Sequence, residues 1–152
     1  MTSTRAAAGP TERLGFLLAI RGELVGGRLR TALAITGLRP RHAMTLLHLG
    51  HGSIGQRPLA EAVGVDPSQL VAILNDLESS GLAERRRDPA DRRRHIVEIT
   101  AEGSRAVARI DQALAGAENE LFADLSEKES AKLQALLERV RVDVNGLECT
   151  ED

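Results

Sequence analysis

The sequence has no tryptophan, no tyrosine and only two phenylalanines in 152 residues. A core without large rings has to be assembled from Leu, Ile, Val and Ala. Together with the many Arg and Glu residues, this composition favours helices over sheets. Cysteine is nearly absent as well. Cys149 stands alone, which excludes an internal disulfide framework and fits a reducing compartment. No apolar run approaches the ~18 residues of a membrane span, and the opening MTSTRAAAGP lacks the apolar segment of a secretory signal. A cytoplasmic protein with no membrane partner is expected. A Gly-x-Ser-x-Gly elbow, a phosphate-cradling glycine loop and a His-Glu-x-x-His pattern are also missing. The sequence therefore points away from an enzyme, and no cofactor is expected.

A net basic charge is lacking too: the formal charge is −2. Its distribution is uneven. Residues 1–38 carry a net +3, residues 39–100 a net +1 and residues 101–152 a net −6. An acidic C-terminal third thus masks a basic remainder, an asymmetry that hints at a nucleic-acid partner.

Along the chain, residues 1–10 are small and polar and are expected to form a disordered tail, as are residues 147–152. Between them, 11–146 is expected to be one domain. From Thr11, a candidate cap, Leu14, Leu17, Leu18, Val25, Leu29 and Leu33 recur at helical spacing, and Gly37 lies just past the end. A second helix is predicted from Arg39 to Leu49, and a loop over Gly50–Gly55 with a short strand near Ile54. A third helix is predicted from Arg57 to Val63, stopped by Gly64. Asp66-Pro67 supplies an N-cap and a first helical residue. The helix that follows, Pro67 to about Ser80, buries Leu70, Ile73, Leu74 and Leu77 and ends at Gly81. A hairpin is predicted next, from Leu82 through the turn Asp88-Pro89-Ala90-Asp91 to Thr100. A long helix to about Asp124 follows. Ser126 and Glu129 then form a capping-box pair that starts a last helix to about Val144.

The informative unit is helix, tight Gly-Val-Asp-Pro turn, helix, strand, basic turn, strand. Two short helices joined by such a turn form a helix-turn-helix, whose second helix fits a major groove ~12 Å wide. Its solvent-facing positions are Ser68, Gln69, Ala72, Asn75 and Asp76. Ser68 and Gln69 offer short hydrogen-bonding groups near the free amides of the helix start. The hairpin reads RRRDPADRRR, with Arg85, Arg86, Arg87, Arg92, Arg93 and Arg94 balanced only by Asp88 and Asp91. Such a self-repelling tip is relieved by phosphate, and arginine is suited to a narrow minor groove. The aspartates are expected to brace some of the arginines.

At Leu59–Gly103, LAEAVGVDPSQLVAILNDLESSGLAERRRDPADRRRHIVEITAEG, the sequence resembles the MarR family of bacterial transcriptional regulators. The resemblance rests on the Leu-Ala helix start, the Leu-Glu…Gly-Leu helix end, the Asp-x-x-Asp-Arg-Arg wing and the terminal Thr-x-x-Gly. It extends over about residues 11–146. It implies a mainly α fold with a small β-hairpin wing: a winged helix-turn-helix over about 39–100, flanked by dimerisation helices over about 11–36 and 101–146. It also implies a ligand-responsive homodimer that binds double-stranded DNA at a near-palindromic operator, with Arg93 entering the minor groove. Ser68, Gln69, Ala72 and Asn75 would face the major groove, with Arg85, Arg86, Arg87, Arg92 and Arg94 supporting the contact. Ala72 and Asp76 depart from the family pattern, in which a basic residue is frequent. A small-molecule effector is expected between the dimerisation helices and the DNA-binding lobe, near Arg21, His42, Met44 and His48.

Three variants of this reading meet obstacles in the sequence. His42, His48 and His51 do not share one helical face, and no carboxylate or cysteine beside them completes a zinc site. Cys149 lies in an acidic tail that disfavours the reactive thiolate, whereas oxidant-sensing relatives place their cysteine in the first helix. A winged helix used only for protein contacts has no need of six wing arginines.

Overall fold

The computed structural model describes residues 9–141. Before the first helix, Pro10–Glu12 form one 3-10 turn, in which the Glu12 carboxylate accepts the Gly9 amide at 2.9 Å. This closed turn corrects the assignment of Thr11 as cap. The chain becomes extended at Arg13, and helix α1 spans Leu14–Ala34. Gly37 then takes φ +73, the left-handed conformation in which a Cβ is penalised. Helix α2 is Pro40–Leu49, strand β1 Ile54–Gly55, α3 Gln56–Val63 and α4 Pro67–Ser79. Strands β2, Ala83–Arg87, and β3, His95–Ile99, precede α5, Ala101–Leu121, and α6, Glu127–Leu137.

The sheet is antiparallel in the order β1-β3-β2, with Arg85 opposite Val97 and Ile54 opposite the same valine on the other side. This is the winged-helix arrangement that the sequence predicts, mainly helical with a three-stranded wing sheet. Its core is aliphatic: Leu46, Leu49, Leu59, Leu70, Leu74, Leu77, Val97 and Ile110 are essentially inaccessible to solvent. Each such leucine contributes about 1.5–3 kcal/mol relative to an exposed one. Three helices, α2, α3 and α4, are thereby packed around one cluster.

The entry into α5 is unusually close. Thr100 donates its hydroxyl to Gly81 O at 2.6 Å and accepts the Gly103 amide at 3.0 Å. A Cβ on Gly103 would lie 2.0 Å from Leu82 O and 2.6 Å from Ile99 Cγ1. Only glycine fits there, and the third residue of α5 thereby seats the helix on the start of the wing.

The chain divides into two compact units, the boundary falling within α5 after Ala117. In the second, α5 stops at Leu121, three residues short of the predicted Asp124, and Leu125 bonds back to Phe122. The Ser126 side chain caps the next helix by accepting the Glu129 amide. Ser126 and Glu129 do form the expected capping box, with amide contacts of 3.3 and 2.8 Å. Helix α6 ends at Leu137, which corrects its predicted extension to Val144. Val140 bonds to Leu137 in a tighter i→i+3 turn. Val140 is β-branched, which lowers its helix propensity. Residues 142–144 and Cys149 lie outside the described residues.

Much apolar surface stays open. On α1, Leu14 is 78% exposed and Phe16 54%, with Leu17, Leu18, Ile20 and Leu24 also exposed. On α6 no residue is buried, and Leu136 and Leu137 face solvent.

Candidate nucleic-acid interface

The second helix of the helix-turn-helix is set by its own first turn. Gly64 ends α3 with φ +71, and its amide returns to Ala60 O at 3.0 Å. Asp66 then caps α4: its Oδ1 accepts the Gln69 amide at 2.9 Å and the Ser68 hydroxyl at 2.6 Å. Gln69 Oε1 in turn accepts the Asp66 amide at 3.3 Å, closing a reciprocal capping box. The Ser68 hydroxyl, and after it the Gln69 amide, hold the Asp66 carboxyl below its ordinary value. The spacing Asp-x-x-Gln carries this second bond in the sequence, where the reading above saw only the cap.

Ser68, Gln69, Ala72, Asn75 and Asp76 all face solvent on α4, so the structure brings the predicted reading positions onto one open surface. Most of them are engaged by neighbours. Arg41 of α2 donates to Gln69 Oε1 at 3.4 Å. Buried His42, also on α2, places Nε2 at 2.9 Å from Asp76 Oδ2, and its buried Nδ1 has no hydrogen-bond partner among the described residues. Arg85 of β2 donates to Asn75 Oδ1 at 2.6 Å. The same guanidinium grips Glu78 through Nε at 3.1 Å and Nη2 at 2.5 Å, and the Arg85 amide donates to Glu78 Oε1 at 2.8 Å. The Glu78 carboxyl is therefore held below its ordinary value, first by the Arg85 side-chain bond, and the Arg85 guanidinium is raised by the same contact. Sequence reasoning missed Glu78 because no local spacing announces a partner seven residues away across a glycine turn.

The six wing arginines separate into two classes. Arg85 is committed to α4, Arg86 Nη2 bonds Glu98 on the neighbouring strand at 2.5 Å, and Arg94 lies 3.5 Å from Asp91 on an exposed edge. Arg87, Arg92 and Arg93 are exposed, and their side chains have no ion-pair or hydrogen-bond partner among the described residues. The aspartates mostly hold backbone instead of arginine: Asp88 Oδ1 accepts the Ala90 amide at 2.8 Å and Asp91 Oδ1 the Arg93 amide at 3.0 Å. Asp88 N to Arg94 O and Arg94 N to Asp91 O, both 2.9 Å, complete the loop. The tip is a shaped backbone carrying free cations.

The proposed effector positions are spread over two helices. Arg21 is exposed on α1. Met44 and His48, four residues apart, share one face of α2, and His42 points from another toward α4. Among the described residues, no three His, Cys, Asp or Glu side chains come together as metal ligands.

A MarR family model matches residues 36–94, from the end of α1 through the wing turn. A candidate transcriptional regulatory protein for the hcr operon of Thauera aromatica is 36% identical over 130 residues, covering 84% of this chain and 78% of the relative. The chain belongs to the MarR family. It is a transcriptional regulator of that family, and the relatives it matches are regulators, not enzymes. Among solved structures, CouR of Rhodococcus jostii RHA1 bound to p-coumaroyl-CoA superposes with a TM-score of 0.75 at 30% identity, over 90% of this chain and all of CouR. The repressor CouR bound to a 23-mer DNA duplex gives 0.74 at 30% identity, over 84% of this chain and 92% of that one. No helix among the described residues is long and apolar enough to cross a membrane.

Proposed function

We propose that two copies of this chain bind a near-palindromic double-stranded DNA operator, each placing α4 in the major groove and its wing in the adjacent minor groove. The observation that carries this reading is the division of the wing arginines. Three cations, Arg87, Arg92 and Arg93, are left unpaired on a tip whose backbone is already fixed. An unpaired cluster of this kind is stabilised by phosphate and by the negative potential of a narrow minor groove. Arg93, the second arginine after Asp91, is the residue proposed to enter it. Ser68, Gln69, Ala72 and Asn75 face bases or phosphates, while Arg85 and Arg86 support the surface by holding Asn75, Glu78 and Glu98 in place. The exposed apolar residues of α1 and α6 cover each other between the two copies, so that 11–36 and 101–146 serve dimerisation.

A small-molecule effector binding near Arg21, Met44 and His48, with His42 linking that region to α4, would favour a different spacing of the two recognition helices and so lower operator affinity. That the similar regulator CouR is seen both with p-coumaroyl-CoA and with a DNA duplex supports this coupling. Selection of duplexes from a random library by the purified protein tests the proposal. A two-fold symmetric enriched site is the expected result. Failure of a folded, dimeric protein to enrich any duplex would overturn it in favour of a protein-contact module.

A further inference from the structure

An arginine side chain can only donate hydrogen bonds, so any amide atom that it contacts has to be the carbonyl oxygen. This fixes the polarity of both amide side chains on the exposed face of α4. Asn75 turns Oδ1 to Arg85 at 2.6 Å, and Gln69 turns Oε1 to Arg41 at 3.4 Å and to the Asp66 amide at 3.3 Å. The two arginines come from opposite flanks, Arg41 from α2 and Arg85 from β2. Gln69 Oε1 thus uses both of its lone pairs, which leaves the Gln69 NH2 group as the part available to a partner, whereas Asn75 Oδ1 keeps one lone pair beside its NH2 group. Ser68 has no such fixed polarity, because a hydroxyl rotates between donating and accepting.

Resting on the operator-binding reading above, we infer that Gln69 reads the major groove as a donor only. It selects a base acceptor: guanine N7 or O6, adenine N7, or thymine O4. The usual pairing of an asparagine or glutamine with adenine is bidentate and needs the amide oxygen to accept from the adenine N6 amine. At Gln69 both lone pairs of that oxygen are already taken, by Arg41 and by the Asp66 amide. Cytosine offers only its N4 amine in the major groove, so it has nothing for a donor-only amide and is disfavoured at the contacted positions. Arg41 acts as a specificity-positioning residue that need touch no base itself.

The test uses the full-length dimer and its best selected duplex, with single-base analogues. Acceptors are deleted one at a time by 7-deazapurines for N7, 2-aminopurine for guanine O6 and a 4-deoxy analogue for thymine O4. The adenine N6 donor is deleted by purine. Each duplex is titrated with wild type, Asn75→Ala and Gln69→Ala. Deleting the matching acceptor is expected to weaken wild type about tenfold, the value of one good hydrogen bond. The same deletion should have no effect on the alanine variant that has already lost that contact. Purine for adenine is expected to leave the ratio of wild type to Gln69→Ala unchanged. Coupling of Gln69 to the N6 amine would overturn the inference, as would the absence of coupling of Gln69 to any acceptor. If no duplex is enriched in the first place, the operator-binding reading itself fails, and this inference falls with it.

Discussion

The Arg85 guanidinium and the Glu78 carboxylate meet at 2.5 Å across the junction of α4 and β2, and the Arg85 backbone amide bonds the same carboxylate at 2.8 Å. One side chain of the recognition helix is thus held at three points by the first strand of the wing. Both groups are largely shielded, at 26% and 29% exposure, so the pair is worth more than a free surface ion pair.

A pH dependence follows. The folded Glu78 carboxyl lies below its ordinary value near 4.5, because Arg85 stabilises its charged form. Its contribution is therefore complete above that ordinary value and is lost as the pH falls through the lower, folded one. Glu78→Gln is expected to cost about 1 kcal/mol near neutral pH. Urea titrations from about pH 7 to about pH 3 should show the variant losing less stability than wild type as acid is added. Parallel curves would place the acid sensitivity elsewhere.

Gly103→Ala is expected to destabilise the wing junction by about 1–3 kcal/mol, because the new methyl group meets backbone at Leu82 as well as the Ile99 side chain. A shift of the urea midpoint without a change in slope is the signature to look for. An unchanged midpoint would mean that α5 can slide on the sheet.

Arg93→Ala should separate binding from folding. The side chain is exposed and unpaired, so the thermal midpoint is expected to stay put while operator affinity falls about tenfold and the salt slope drops by about one. Arg85→Ala is expected to do the reverse in part, lowering the midpoint as Glu78 and Asn75 lose their shared donor. Equal behaviour of the two variants would contradict the division of the wing arginines into free and structural classes.

Leu17→Glu places a charge within the exposed apolar stretch of α1. Sedimentation at micromolar concentration should then show single chains where wild type is dimeric, with operator binding lost in parallel. A dimeric variant would direct attention to another face.

The sequence made the helix-turn-helix and wing legible because local chemistry determines them. Gly64 and Gly81 occupy left-handed positions, Asp66-Pro67 caps a helix and Thr100 receives the Gly103 amide, all within a few residues. The open positions Ser68, Gln69, Ala72 and Asn75 followed from helical period alone. What occupies those side chains did not. The Arg85–Glu78 and His42–Asp76 pairs depend on how α4 is rotated against β2 and α2, which packing of the core decides and no spacing records. The far end of α6 was overestimated for a related reason. A good start signal at Ser126, and an apolar spacing that runs on through Val140 and Val144, say nothing about where the helix stops, and it stops at Leu137.

The wing turn from Asp88 to Arg94 is closed by four hydrogen bonds of its own, two to aspartate side chains and two between backbone groups. Its order is thus established when the chain folds and does not wait for a partner. Fixing a backbone residue costs about 1–2 kcal/mol of conformational entropy, and a floppy seven-residue tip would incur that loss at every encounter. Here only the arginine side chains remain to be immobilised on association, so a larger share of their electrostatic attraction survives as affinity.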